Sequence, residues 1–277
     1  MPTVSTFREC LICNNIGKSN NFKFSLHLKV DTGMSRLGFE CDQFVQQFNN
    51  IKSLENIAVK GIYSHLACAD EKNALNPKSS TQLQKEKFQE LLKIIDIDNK
   101  QNIKIHLANS AGMILGKDFH FDMVRVGLSM YGHNPLVNIN ENLFLKPALF
   151  LKAKVTFVRT IEKGIGVSYG NKFVSDRKTK LAVLSIGYAD GIIRNLSGKI
   201  SLIHNKKLYP QVGSITMDQM MVDITDSNDI EVGSTMLLLG SEGDKSISPI
   251  DWADKCNSIP WEILCSFKNR LPRVQVD

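Results

Sequence analysis

From Phe24 to Leu128 the chain repeats one plan four times: a short apolar run that closes on polar, chemistry-bearing residues. FSLHLKV (24–30) ends in Lys29 and Asp31, and VKGIYSHL (59–66) ends in Ser64 and His65, with Asp70 just beyond. IKIHLAN (103–109) ends in Asn109 and Ser110, and FDMVRVGL (121–128) carries Arg125 before Gly127. Helically spaced segments lie between the runs: CDQFVQQFNNI (41–51), and Gln82 to Ile95 with Phe88, Leu91, Leu92 and Ile95 on one side. Strands alternating with helices predict parallel β/α units. In such units the ligand lies at the C-terminal ends of the strands. One polar strand end is a solvated end; four in succession favour a shared site.

After Pro147 the texture changes. LFLKAKVTFVRTI, KLAVLSIGYADGI, GKISLIHNKKLYPQV, QMMVDIT and GSTMLLLG are short alternating runs separated by Gly, Asn and Asp. They predict a small antiparallel barrel or sandwich. The boundary falls within YGHNPLVNINENLFLKP (131–147), dividing the chain into regions 1–143 and 144–277.

The net charge of +6 is scattered, with no run of five like charges, so a nucleic-acid surface is not indicated. No apolar run is long enough to predict a membrane span, and MPTVSTFREC lacks the apolar core of a signal peptide. The six cysteines stand at 10, 13, 41, 68, 256 and 265. Cys10 and Cys13 read as one face of a helix rather than half of a metal site, so no metal is expected. Free thiols and the absence of an export signal point to the cytoplasm.

Individual residues suggest an anion site. Gly33 and Gly38 let the backbone turn tightly around Arg36, whose planar fork suits a phenolate or carboxylate oxygen. The plainer alternative is an Arg36–Asp31 ion pair. In NSAG (109–112) a hydroxyl and exposed amides stand where a helix starts, a place that favours phosphate or serves as an ordinary cap; Gly127 adds amides that a phosphate can approach. Arg125 does not release its proton, so beside a ring nitrogen it would keep that nitrogen unprotonated. His65 is placed to bridge it to a proton-transfer group, or is simply structural. In the second region Tyr169 lies on a loop between strands. Tyr188, Asp190 and Arg194 surround a turn, and Met217 and Asp218 stand at a strand end. A tyrosine acts as a general base when cations lower its pKa; otherwise these are core aromatics and turn residues.

KVDTGMSRLGF, YSHLACAD, HLANSAG, MVRVGLSMYG, VSYG, IGYADGIIRNLS, VGSITMDQMMVDIT and IPWEILCSFKNRLPRV occur in the order found in alanine racemase. The chain resembles that family, of pyridoxal-phosphate fold type III, from about Phe24 to its end, and PTVSTF resembles the end of a preceding barrel strand. The resemblance implies a (β/α)8 barrel that binds pyridoxal 5'-phosphate, an antiparallel β-domain, and an active site completed across a homodimer. It implies interconversion of L-alanine and D-alanine, supplying D-alanine for peptidoglycan. By motif, Arg36 would contact the cofactor's phenolic oxygen and the substrate, and Lys29, resembling an often carbamylated lysine, would steady Arg36. Arg125 would hold the pyridine nitrogen. Ser110 with the Gly127 and Leu128 backbone would bind the phosphate, supported by Asn109 and His106. Tyr169 of the second subunit would be the base on the L-amino acid face, linked by His65 to Arg125. The Met217 amide, beside Asp218, would hold the substrate carboxylate.

Two departures stand out. Nothing resembles the family's lysine segment, VVKANAYGHG, so by the resemblance the first half of the barrel is missing, leaving open sheet edges. The expectation is therefore a racemase whose N-terminal half is supplied separately, or an inactive fragment. Trp261 stands where the family usually has tyrosine, replacing a phosphate-binding hydroxyl by an indole N–H.

Overall fold

The computed structural model describes residues 1–95, 102–136, 143 and 145–275. It divides into two compact units, Met1–Lys146 and Pro147–Asp277. The boundary expected at 143/144 adjoins residues 137–142 and 144, which lie outside the described residues.

The first unit alternates β1 (Thr3–Val4), α1 (Phe7–Ser19), β2 (Phe24–Asp31), β3 (Phe39–Glu40), α2 (Cys41–Lys52), β4 (Ile57–Tyr63), α3 (Ser80–Ile94), β5 (Lys104–His106) and α4 (Ser110–Leu115). The strands form one parallel sheet in the order β1-β2-β4-β5, with β3 paired beside β2. Start signals match the helices they precede. Thr6 and Glu9 form a capping box on α1, and the Ser79 side chain caps α3. Cys10 and Cys13 lie on α1 as free thiols.

The period of two along β2 separates two chemistries. Leu26, Leu28 and Val30 are fully buried in a cluster with Phe44, Phe48 and Ile51 of α2 and Phe88 and Leu91 of α3. Phe44 lies 5.3 Å from Phe39 and 5.4 Å from Phe48, ring centre to ring centre. Each such side chain, fully buried, contributes about 1.5–3 kcal/mol. His27 and Lys29 occupy the opposite face. In β4 a bulge shifts the register, so that Leu26 pairs with Val59 but His27 with Gly61. Lys60 is the extra, exposed residue. Gly61 and Tyr63 thereby join His27 and Lys29, and the sheet has one apolar and one polar face.

The segment 121–128 is not the strand its apolar run predicts. Phe121 has φ +52°, and the segment makes a single parallel bridge, His106 to Met123. Asp122 N–H to Ile105 O and Arg125 N–H to Ala108 O hold it beside β5. A left-handed residue at its start breaks the ladder before it can propagate.

The second unit carries β6 (Leu151–Ile161), β7 (Gly166–Val167), β8 (Phe173–Val174), β9 (Thr179–Leu184), β10 (Ser201–His204), β11 (Lys207–Val212), β12 (Met220–Asp223), β13 (Thr235–Glu242) and β14 (Lys245–Ile247). Two helices follow, α5 (Pro249–Cys256) and α6 (Pro260–Ser266). Seven strands form an antiparallel sheet in the order β10-β11-β12-β9-β6-β13-β14, and pairing of β10 with β13 closes it on itself. Asn205 and Lys206, both at positive φ, make the tight β10–β11 hairpin. Ala182, Leu184, Leu202, Val222, Met236 and Leu238 fill the interior, with Trp252 and Ile263 packing from α5 and α6. No described helix is long and apolar enough to cross a membrane.

Candidate active site

In the first unit the predicted residues of the second, third and fourth runs meet around Arg125. Its Nη1 lies 2.6 Å from His106 Nδ1. Its Nη2 lies 2.8 Å from Ser64 O, 2.9 Å from His65 Nδ1 and 3.1 Å from Leu107 O. The guanidinium also lies 4.8 Å from the centre of the Tyr63 ring, which stacks on His106 at 4.6 Å. A guanidinium only donates, so both histidines must accept at Nδ1 and carry their proton on Nε2. Burial, followed by the Arg125 charge, pushes His65 down to about 4 and His106 down to about 3. Both rings are therefore neutral near pH 7. Among the described residues the guanidinium's Nε–H and one Nη1–H meet no acceptor.

Ser110 opens α4 behind its N-cap, Asn109. The Asn109 side chain is committed to the scaffold: Oδ1 accepts Gly112 N–H at 2.9 Å and Nδ2 donates to Leu66 O at 3.4 Å. Ser110 Oγ accepts Gly127 N–H at 2.8 Å and Ser129 N–H at 3.5 Å, so its own proton remains to be donated. Buried Ser129 Oγ has no partner among the described residues, and a Cβ added at Gly127 would approach nothing closer than Ser110 Oγ at 3.8 Å. Unspent hydroxyls around an open glycine suit an anion such as phosphate.

The first run contributes differently from the ion-pair alternative. Asp31 Oδ1 accepts Gly33 N–H and Met34 N–H, each at 2.8 Å, folding the loop back on itself. Those amides depress its pKa against the opposing effect of burial. No Asp31–Arg36 ion pair forms among the described residues, and Arg36 is exposed. Lys29 is buried; burial first, then the Arg36 charge, lowers its pKa. Asp70 is exposed and does not join the Arg125 cluster.

In the second unit Tyr169 is 72% exposed on the short connection between β7 and β8. Ser168, at φ +64°, donates from Oγ to Ser214 O at 2.8 Å, and Ser214 Oγ returns a bond to Tyr169 O at 2.9 Å. The Met217 loop is pinned by Tyr188 N–H to Thr216 O and Ala189 N–H to Met217 O, both at 3.0 Å. The Met217 amide itself makes no hydrogen bond among the described residues. Asp218 is exposed but is not a free carboxylate, because Arg270 holds its Oδ1 at 2.7 Å. Arg270 also reaches Asp190 Oδ1 at 3.3 Å, and Asp190 Oδ2 accepts Gly187 N–H at 3.0 Å. A groove of about 470 Å³ beside Tyr169 is lined in part by Arg159, Ser168, Thr216 and Gln219. Trp261 is the second residue of α6 and partly exposed.

Sequence reading missed His27, Tyr63, Ser129 and Arg270. The parity of His27 with Lys29 was a usable signal. Tyr63 was hidden by the bulge, because unbroken alternation would put it on the face of Ile57 and Val59.

Family models match both units of the chain. "Alanine racemase, N-terminal domain" matches residues 1–135 and "Alanine racemase, C-terminal domain" residues 148–275. The N-terminal match describes an α/β barrel domain from residue 1 and does not itself support a division into a present and a missing half. An alanine racemase of Prochlorococcus marinus is 51% identical over 276 residues, spanning 100% of this chain and 71% of the relative. The solved alanine racemase of a D-cycloserine-producing Streptomyces lavendulae superposes with a TM-score of 0.90 at 31% identity, covering 99% of this chain and 72% of that one. That of Bartonella henselae, with covalently bound pyridoxal phosphate, gives 0.86 at 32% identity, covering 100% and 73%. The chain belongs to the alanine racemase family.

Proposed function

We propose that the chain interconverts L-alanine and D-alanine with pyridoxal 5'-phosphate held on the polar face of the first unit. The observation that carries this is Arg125, a donor-only group fixed between two neutral histidines beside the unspent hydroxyls of Ser110 and Ser129. Those residues fit the cofactor: Arg125 for the ring nitrogen, Ser110 with the Leu128 amide for the phosphate, joined by the Gly127 amide once it turns from Ser110 Oγ, and Arg36 for the phenolic oxygen. When bound, the cofactor supplies an electron sink for the α-carbon of the amino acid. Arg125 withholds its proton from the ring nitrogen and so limits that sink, which suppresses side reactions.

Tyr169 is the proposed base on the L-amino acid face. Its exposure suits a group offered to a second copy of the chain, where His65, with its proton on Nε2, can donate to the phenolate oxygen and favour it. The Met217 amide, unspent and fixed at its carbonyl, holds the substrate carboxylate. Asp218 acts through Arg270 by shaping that loop. Lys29 is the carbamylation candidate, since a buried amine whose pKa is lowered by burial and then by the Arg36 charge gains from becoming an anion. By the resemblance alone, the indole N–H of Trp261 would take the part of the family's phosphate-binding hydroxyl. A homodimer, a cytoplasmic location and D-alanine supply for the cell wall belong to this proposal and rest on the family.

We infer further that the cofactor-anchoring lysine comes from a segment outside these 277 residues, because none of the lysines here lies in the corresponding motif. The test is conversion of L-alanine to D-alanine with pyridoxal phosphate, by the chain alone and then with a separately made N-terminal segment of a relative. Activity only on addition supports both parts. Turnover by the chain alone moves the anchoring lysine into it, and no activity in either case overturns the proposal. The alternative, an inactive fragment, predicts no cofactor binding.

A further inference from the structure

The Arg125 cluster does not end at His106. His106 Nε2 lies 3.0 Å from His27 Nδ1. Arg125 fixes Nδ1 of His106 as an acceptor, so His106 Nε2 carries the proton and His27 must accept it. Direction is thus imposed along the whole chain, from Arg125 through His106 to His27, by the one group in it that cannot accept. Burial lowers the pKa of His27 as well, keeping it an acceptor near pH 7.

Two features of the sheet seat this third ring. The bulge at Lys60 brings Gly61 rather than a side chain opposite His27. A Cβ added at Gly61 would stand 2.6 Å from both Cε1 and Nδ1 of the His27 ring. Tyr63 completes the enclosure, with its ring centre 6.5 Å from that of His27 and its hydroxyl 3.2 Å from Thr3 Oγ1. An outer histidine that accepts from the inner one enriches the lone pair the inner one offers, as carboxylates do for metal-bound histidines. Here the beneficiary is the guanidinium.

We propose that His27 is a positioning residue for Arg125: as terminal acceptor of a one-way hydrogen-bond chain, it holds His106 as the Nε2–H tautomer and aims the guanidinium at the cofactor's ring nitrogen. This rests on the cofactor reading given above. The test uses the full chain with His27→Phe, and His27→Asn, whose Oδ1 replaces Nδ1. Histidine-nitrogen NMR first reads the tautomers; a neutral Nε2–H His106 is expected, and an Nδ1–H His106 overturns the proposal whether or not any variant folds. Affinity is then measured by absorbance for pyridoxal phosphate and for its analogue with carbon in place of the ring nitrogen. His27→Phe should weaken pyridoxal phosphate about fivefold, the scale of one buried hydrogen bond. It should leave the carbon analogue unchanged, and His27→Asn should recover most of the loss. Equal losses for both ligands, or none, overturn the proposal while leaving the cofactor reading intact. A wild-type chain that binds neither ligand overturns the cofactor reading, and the positioning role with it.

Discussion

Acid should unload the polar face of the first unit before it disturbs the apolar one. A histidine whose pKa is lowered by folding contributes stability that is fully present above its unfolded value and is lost as the pH falls toward its folded value. His106, nearly inaccessible to solvent, moves from 6.5 to about 3. Near pH 4 the unfolded ring is protonated and the folded ring is not, a gap of about 2.5 pH units or roughly 3 kcal/mol. His65, lowered to about 4, adds a similar amount before screening, because its ring is partly open to water. The pair shares Arg125, so a combined loss on the order of 4 kcal/mol is the reasonable figure. Against a typical domain stability of about 5–15 kcal/mol this is a large fraction. The assay is urea unfolding followed by far-ultraviolet circular dichroism at steps from near pH 7 to near pH 4, for wild type and His106→Asn. Asp31, depressed by its loop amides against the effect of burial, loses its contribution only as the pH falls below about 4, beneath the range scanned, and does so in both proteins alike. The wild-type curve should fall more steeply by about one proton. Parallel curves would refute the claim that His106 is folded neutral against Arg125.

Further expectations follow from the same contacts. Gly61→Ala must displace the His27 ring, and should cost about 1–3 kcal/mol by overpacking while changing the His106 nitrogen resonances. Ser110→Ala removes an acceptor of two amides and a donor to phosphate. It should weaken pyridoxal phosphate about tenfold, with a much smaller effect on pyridoxal, measured by absorbance titration. Arg270→Ala frees Asp218 and leaves buried Asp190 without its cation; hydrogen exchange at Gly187 and Ala189 should accelerate, and the KM for alanine should rise more than kcat falls. Phe48→Ala empties a fully enclosed site between α2 and the sheet and should cost about 3–5 kcal/mol in urea unfolding.

The elements whose side chains repeat were legible in the sequence. β2 and α2 announced themselves by periods of two and about 3.6, and the change of texture after Pro147 marked the antiparallel unit. The segment 121–128 was not legible as irregular, because its apolar pattern is that of a strand and only the backbone at Phe121 says otherwise. At the site, Arg125, His65 and Ser110 were legible as polar groups closing apolar runs. Asp31 looked like a partner for Arg36 because charge can be read from letters, whereas the competing amides of Gly33 and Met34 appear only once the loop is folded. Asp218 likewise had no visible partner until Arg270, 52 residues further on, was brought back to it.

The bulge in β4 also bears on how this segment can change in descent. Val59 pairs with Leu26 and Gly61 with His27, so Lys60 is a spare letter between two fixed ones. Losing it would restore plain alternation and leave Gly61, Ile62 and Tyr63 facing as they do now. Gaining a neighbour would also restore alternation, but it would carry Tyr63 along the strand, out of register with Lys29 and His106. Gaps in this strand are therefore expected among working relatives, insertions are not, and the asymmetry can be read from aligned lengths without any assay.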